Sequence, residues 1–100
     1  MLELEQIVGF DWDAANSRKS DKKHGVTQAE AEQVFLHAPL SILDGVKHSG
    51  SEPRFHALGK STASRRLHVT FTLRGAGTLI RIVSARKMSR QERAGYEQET

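Results

Sequence analysis

The stretch Leu79-Ile-Arg-Ile-Val-Ser-Ala-Arg-Lys-Met-Ser-Arg-Gln-Glu-Arg-Ala-Gly-Tyr96 changes its repeat half-way along. The first half reads as a strand. Its side chains alternate, so Arg81 points away from the side taken by Ile80 and Ile82. The second half opens on Ser89-Arg-Gln-Glu92, a capping-box pattern, and reads as a very basic helix beginning at Ser89. Glu92 suits the positive end of that helix. An arginine in the middle of an aliphatic strand, followed by four more cations, leaves two things to explain: which face of a sheet carries the charge, and why.

Two more strands precede this one, over residues 54–60 and 66–73, with the third over 78–86. The connections are short, which favours an antiparallel meander. Pairing Leu73 with Thr78 across Arg74-Gly-Ala-Gly77 sets Val69 against Ile82 and Phe71 against Ile80. That register gathers Leu67, Val69, Phe71, Ile80 and Ile82 on one apolar side, with Phe55 and Ala57, and burial selects it over a one-residue slip. Pairing Lys60 with Arg66 puts Arg54, His56, Leu58, Lys60, Arg66, His68, Thr70, Thr72, Arg81 and Val83 on the other side. No acidic residue of these strands offsets that cationic face, and like charges across strands repel. A wetted polar face is ordinary for an open antiparallel sheet. A face this basic also fits a phosphate backbone or an acidic partner.

Ahead of the meander, residues 1–7 read as an extension and Phe10-Asp-Trp12 as a short strand. Asp13 is a fair N-cap for a helix over residues 14–23, with Gly25 as its terminal glycine. Thr27-Gln-Ala-Glu30 opens a second helix, whose Ala31, Val34, Phe35 and Ala38 follow helical spacing until Pro39 stops it. Residues 40–43 read as a short strand and 44–53 as a loop.

One hundred residues suit one domain, residues 1–100, with a single core. The net charge of +3 is unevenly spread. Residues 1–50 hold five Lys/Arg against eight Asp/Glu, a balance of −3, and residues 51–100 hold ten against four, a balance of +6. The basic half suggests an anionic partner, nucleic acid first. There is no cysteine, which fits a reducing cytosol, and no apolar run long enough to cross a membrane. The acidic start, Met-Leu-Glu-Leu-Glu-Gln, does not look like a signal leader, so a cytoplasmic protein without membrane contact is expected.

Several of these segments, in order and spacing, resemble the BrnT toxins, RelE-like ribonucleases of bacterial type II toxin–antitoxin systems. They are Phe10-Asp-Trp-Asp13, Lys23-His-Gly-Val26, Glu30-Ala31, Val34-Phe35, His48-Ser49, Glu52-Pro-Arg54, Ala57-Leu-Gly59, Val69-Thr-Phe-Thr72, Arg81-Ile-Val-Ser-Ala-Arg86, Glu92-Arg93 and Tyr96-Glu97. The sequence departs from the family at Asn16, Ser20 and Gln28, and Asn16 removes a positive charge from the first helix. The resemblance implies an α+β, RelE-like fold with two N-terminal helices packed on an antiparallel sheet and a C-terminal helix. It also implies a metal-independent mRNA endoribonuclease that inhibits translation. A BrnA-like ribbon-helix-helix antitoxin would neutralise it, and their complex would bind operator DNA. The alternative is a weak or inactive relative that only binds nucleic acid or antitoxin.

Metal-free RNA cleavage needs a base for the 2′-hydroxyl, cations for the charge on the phosphoryl oxygens, and an acid for the leaving 5′-oxygen. Arginine suits the second task, so Arg54 and Arg81 are the candidate catalytic cations. His24 and His48 are candidate proton carriers, against the plainer readings of helix capping and a loop hydrogen bond. His56 and His68 lie on the basic face but outside the matched segments, and are read as ordinary surface histidines ahead of the alternative, a catalytic role. Lys23, Lys60, Arg66, His68, Arg86 and Tyr96 are candidate RNA contacts. Arg86 has core-side parity at the strand end and alternatively pins Glu92, and Tyr96 alternatively packs its helix. Lys87, Arg90 and Arg93 fit phosphate contacts or a solvated helix face. Neither HExxH nor close His-x-His spacing occurs among His24, His37, His48, His56 and His68, so neither metal nor cofactor is expected.

Overall fold

The computed structural model describes residues 6–11, 25–37, 40–44, 54–75 and 77–99. Expectations for the helix over 14–23, for Trp12, Lys23, His24 and Pro39, and for the loop around His48 lie outside these residues. Strand β1 spans Gly9–Asp11, helix α1 Gln28–Gln33 with a 3₁₀ turn at Val34–Leu36, and β2 Ser41–Asp44. Strands β3 (Phe55–Lys60), β4 (Arg66–Arg74) and β5 (Leu79–Lys87) follow, then helix α2 (Arg90–Glu99).

The five strands form one sheet in the order β1-β5-β4-β3-β2. The β2–β5 part is antiparallel, but β1 runs parallel to β5, pairing Phe10 with Ile80 and Asp11 with Arg81. The sheet is therefore mixed, not antiparallel throughout. Among the described residues there is one N-terminal helix where two were expected. Packing also begins before residue 8: Ile7 lies against the core and the Val8 amide donates to Thr78 O at 2.8 Å.

Lys60 pairs with Arg66 as expected, but the β4–β5 register is shifted. Leu73 pairs with Ile80, Phe71 with Ile82 and Val69 with Ala85. Between Thr70 and Phe71 the ladder is irregular, and Val83 is the extra residue on β5. The bulge lets both halves of β5 bury their apolar side chains. Ile80 and Ile82 face the core before it, and Ala85 after it. The same step reverses Arg86, which pairs with His68 on the polar side rather than carrying core-side parity.

The core lies on the side covered by α1. Leu67, Val69 and Phe71 are fully buried there with Val26, Val34 and Ala57. Phe10, Phe35, Phe71 and Phe55 form a row, each ring centroid 5.1–5.9 Å from the next. Thr27 caps α1 by accepting the Glu30 amide at 3.1 Å, while the Glu30 carboxylate reaches Arg65 at 2.7 Å. A helix this short depends on such tertiary links. Another is the Thr62 amide donating to Gln33 Oε1 at 2.9 Å. Gly59 permits the close crossing of the 3₁₀ turn: a Cβ there would stand 2.8 Å from Val34 Cγ1 and 3.3 Å from its carbonyl oxygen.

Helix α2 crosses the opposite, polar side and packs against β3. The Ser89 capping box forms in both directions, Glu92 N to Ser89 Oγ at 3.1 Å and Ser89 N to Glu92 Oε1 at 2.9 Å. Tyr96 is buried, as is Leu58 on that side of β3. The polar side is thus partly covered rather than an open wall.

Candidate functional site

The register arranges the polar side in cross-strand rows. One row holds Asp11, Arg81 and Thr72; the next Ser84, Thr70, His56 and Leu43; the next Arg86, His68, Leu58 and Ser41; and the last Arg66 and Lys60. Rows two residues apart lie about 7 Å apart along the strands. Arg54 stands just ahead of β3, exposed, two residues before His56.

Three of the cations, Arg66, Arg81 and Arg86, are compensated, contrary to expectation, by carboxylates from outside the three long strands. Arg81 Nε is 3.0 Å from Asp11 Oδ2, brought in by the parallel edge strand, and Arg66 Nε is 2.6 Å from Glu97 Oε1 on α2. Neither Nε–H is aligned as a hydrogen bond in these contacts, so both are charge contacts without hydrogen-bond geometry. Arg86 is held differently. Its fork grips Glu92, NH1 to Oε1 and NH2 to Oε2, both at 2.9 Å.

Glu92 also meets His68, whose Nδ1 is 2.7 Å from Oε2. On its other side His68 Nε2 is 2.9 Å from His56 Nδ1, and the rings meet edge to face at 5.0 Å. Thr70 Oγ1 lies 3.1 Å from His56 Nδ1. The Arg86 fork holds the Glu92 carboxyl down at about 2, helped by the Ser89 amide and His68 and opposed by burial. Burial pushes the His68 imidazole below its ordinary value, with Arg86 and His56 acting the same way, and outweighs the opposite pull of Glu92. Burial likewise raises the Tyr96 phenol.

Of the residues singled out from sequence, Lys60, Arg66, His68, Arg81 and Arg86 share the polar side of the sheet, and Arg54 is exposed just ahead of β3. Arg54 and Lys60 have no ion-pair partner among the described residues. Tyr96 is 2 % exposed and packs its helix, so its ring is not presented for base stacking. Lys23, His24 and His48 lie outside the described residues. Arg65, Arg66, Lys87 and Arg93 line a cleft of about 390 Å³ with Ser64 and Met88, beside the start of α2. Sequence reasoning gave no role to the His56–His68 contact. The signal was present, since both histidines share a face by parity, but their pairing needed the β3–β4 register. Among the described residues no cluster of three His, Asp or Glu side chains is arranged to hold a metal ion, and no helix is long and apolar enough to cross a membrane.

The family model described as "Ribonuclease toxin, BrnT, of type II toxin-antitoxin system" matches residues 12–92. Among solved structures, the crystal structure of the Brucella abortus ribonuclease toxin BrnT is similar with a TM-score of 0.59 and 20% sequence identity, over 83% of this chain and 99% of that one. At that identity the likeness speaks for the fold. Comparison with curated protein sequences found no match.

Proposed function

The chain belongs to the BrnT family of ribonuclease toxins from type II toxin–antitoxin systems, and from that premise we propose that it is a metal-independent endoribonuclease that cleaves mRNA and inhibits translation. Its antitoxin partner is a small BrnA-like ribbon-helix-helix protein, the complex binds operator DNA, and the toxin acts in the cytoplasm as a single domain.

The observation that carries this reading is the sheet side on which Arg81, Lys60 and Arg66 surround a pair of imidazoles, with Arg54 exposed just ahead of β3. In-line attack by a 2′-hydroxyl on the adjacent phosphorus forms a 2′,3′-cyclic phosphate and expels the 5′-oxygen. Negative charge builds on the phosphoryl oxygens as it does so. Arg54 and Arg81 are assigned to that charge, Arg81 exchanging its unaligned Asp11 contact for phosphate. Lys60, Arg66, Lys23 and the cleft beside α2 follow the flanking backbone. Arg86 and His68 act through the Glu92 network, and His24 and His48 stay as carriers, suggested by the sequence, for the proton that the leaving 5′-oxygen takes up through water.

The test is cleavage of a labelled RNA in excess EDTA by wild type and by the Arg54→Ala/Arg81→Ala double variant. Cleavage by wild type that falls at least about 100-fold in the variant supports the reading. Cleavage that EDTA abolishes refutes metal independence. The ion pairs on Arg66, Arg81 and Arg86 favour one second reading, a binding module without catalysis. RNA binding without cleavage by wild type would select it.

A further inference from the structure

The His56–His68–Glu92 contacts fix where the protons are. Glu92, gripped by the Arg86 fork, is an ionised acceptor near neutral pH. A carboxylate oxygen 2.7 Å from His68 Nδ1 therefore requires the proton on Nδ1. Arg86 NH2 also lies 3.0 Å from His68 Nδ1, because both converge on the same Oε2. Neutral His68 then carries its lone pair on Nε2. The 2.9 Å contact to His56 Nδ1 in turn requires a proton on that nitrogen. Thr70 Oγ1, at 3.1 Å, is its second acceptor. Neutral His56 is left with a bare lone pair on Nε2, which has no partner among the described residues. Its ring is partly exposed, two residues from Arg54 and one row from Arg81.

We propose that His56 Nε2 is the general base that takes the 2′-hydroxyl proton of the RNA, with His68 and Glu92 as positioning residues that hold its tautomer and ring orientation. This rests on the ribonuclease reading above. In the step, the 2′ O–H bond breaks and its proton goes to His56 Nε2. The oxygen's electron pair forms the bond to phosphorus, the bond to the 5′-oxygen breaks, and water protonates that oxygen. His56 returns its proton to solvent. The groups facing His56 are His68 and Thr70 from β4, with Glu92 of α2 and Arg86 of β5 behind His68 and the apolar Leu43 paired from β2. Arg86, whose fork grips Glu92, neutralises the carboxylate, so the part of the relay is to orient His56.

Two measurements test this on the purified full chain. The first is single-turnover cleavage of labelled RNA between pH 5 and 9. Wild type should show a rate that rises as an imidazole deprotonates. His56→Ala should lose 10²–10⁴-fold in rate with RNA affinity within about threefold, lose that pH limb, and regain part of the rate with added imidazole. Glu92→Gln and His68→Asn should keep the limb but displace it. Full activity or an unchanged limb in His56→Ala overturns the assignment while the ribonuclease reading stands, whereas no cleavage by wild type overturns both. The second is ¹⁵N NMR of the histidine rings in the unmodified protein, which does not depend on any variant folding. It should show Nδ1–H and a bare Nε2 at His56, and the opposite tautomer would overturn the relay.

Discussion

Replacing Glu92 with Gln removes a charge while keeping an oxygen that can still accept the Ser89 amide. Helix α2 is polar, with Tyr96 the one buried large side chain among its described residues, so its attachment leans on Glu92 with Arg86 and His68 and on Glu97 with Arg66. The Glu92 carboxyl falls from 4.5 to about 2 on folding, which at ~1.4 kcal/mol per pH unit amounts to roughly 3 kcal/mol. The side chain is 24% exposed, and screening reduces the expected contribution to about 1.5–2 kcal/mol. The folded value lies below the unfolded one, so this stability is present above about pH 4.5 and is lost as pH falls toward about 2. Urea unfolding at pH 6.5 should therefore find Glu92→Gln about 1.5–2 kcal/mol less stable than wild type, with the melting temperature lower by roughly 6–15 °C. Near pH 2.5, still above the folded value, the gap should shrink to about a quarter of its size at pH 6.5. Hydrogen exchange at neutral pH should show the loss first in α2, with β4 and β5 still protected. An equal gap at both pH values, or none at pH 6.5, would refute the electrostatic account of how α2 is held.

His68 acts in a higher window. Its folded value lies below 6.5, so the fold loses stability as pH drops through 6.5, and His68→Asn should flatten that part of the stability–pH curve without changing the lower part. Gly59→Ala should cost about 1–3 kcal/mol in urea unfolding, because its Cβ would meet Val34 side chain and backbone together. Val83 is the extra residue of the bulge, so deleting it closes the ladder while Ala85 still pairs with Val69 and Arg86 with His68; the deletion should keep the wild-type circular dichroism spectrum, and Val83→Ala should cost less than about 1 kcal/mol. If Arg81 contacts a phosphate, Arg81→Ala should lower the slope of log RNA affinity against log salt by about 0.7.

The core was readable from the residues one by one. Leu67, Val69, Phe71, Ile80 and Ile82 alternate with polar neighbours, and period two leaves them one shared side whatever the exact pairing. Lys60 with Arg66, and Ser89 with Glu92, were readable for the same local reason: a tight turn and a capping box each act within a few residues. The placement of Arg81 and His68 on the polar side followed from parity alone. The fate of their charges did not.

That was decided by contacts far apart in sequence. Asp11 reaches Arg81 because β1 adds in parallel at the sheet edge, a pairing that no turn announces. Arg86 faces His68 because one extra residue, Val83, reverses β5 where burial of both Ile82 and Ala85 demands it. Glu92 becomes the acceptor for Arg86 and His68 only once α2 folds back across the sheet. Hydrophobic alternation is a property of the chain and survives a shift of two residues. The meeting of two imidazoles and a carboxylate depends on a particular register and a particular helix position, and distances near 3 Å tolerate no such shift.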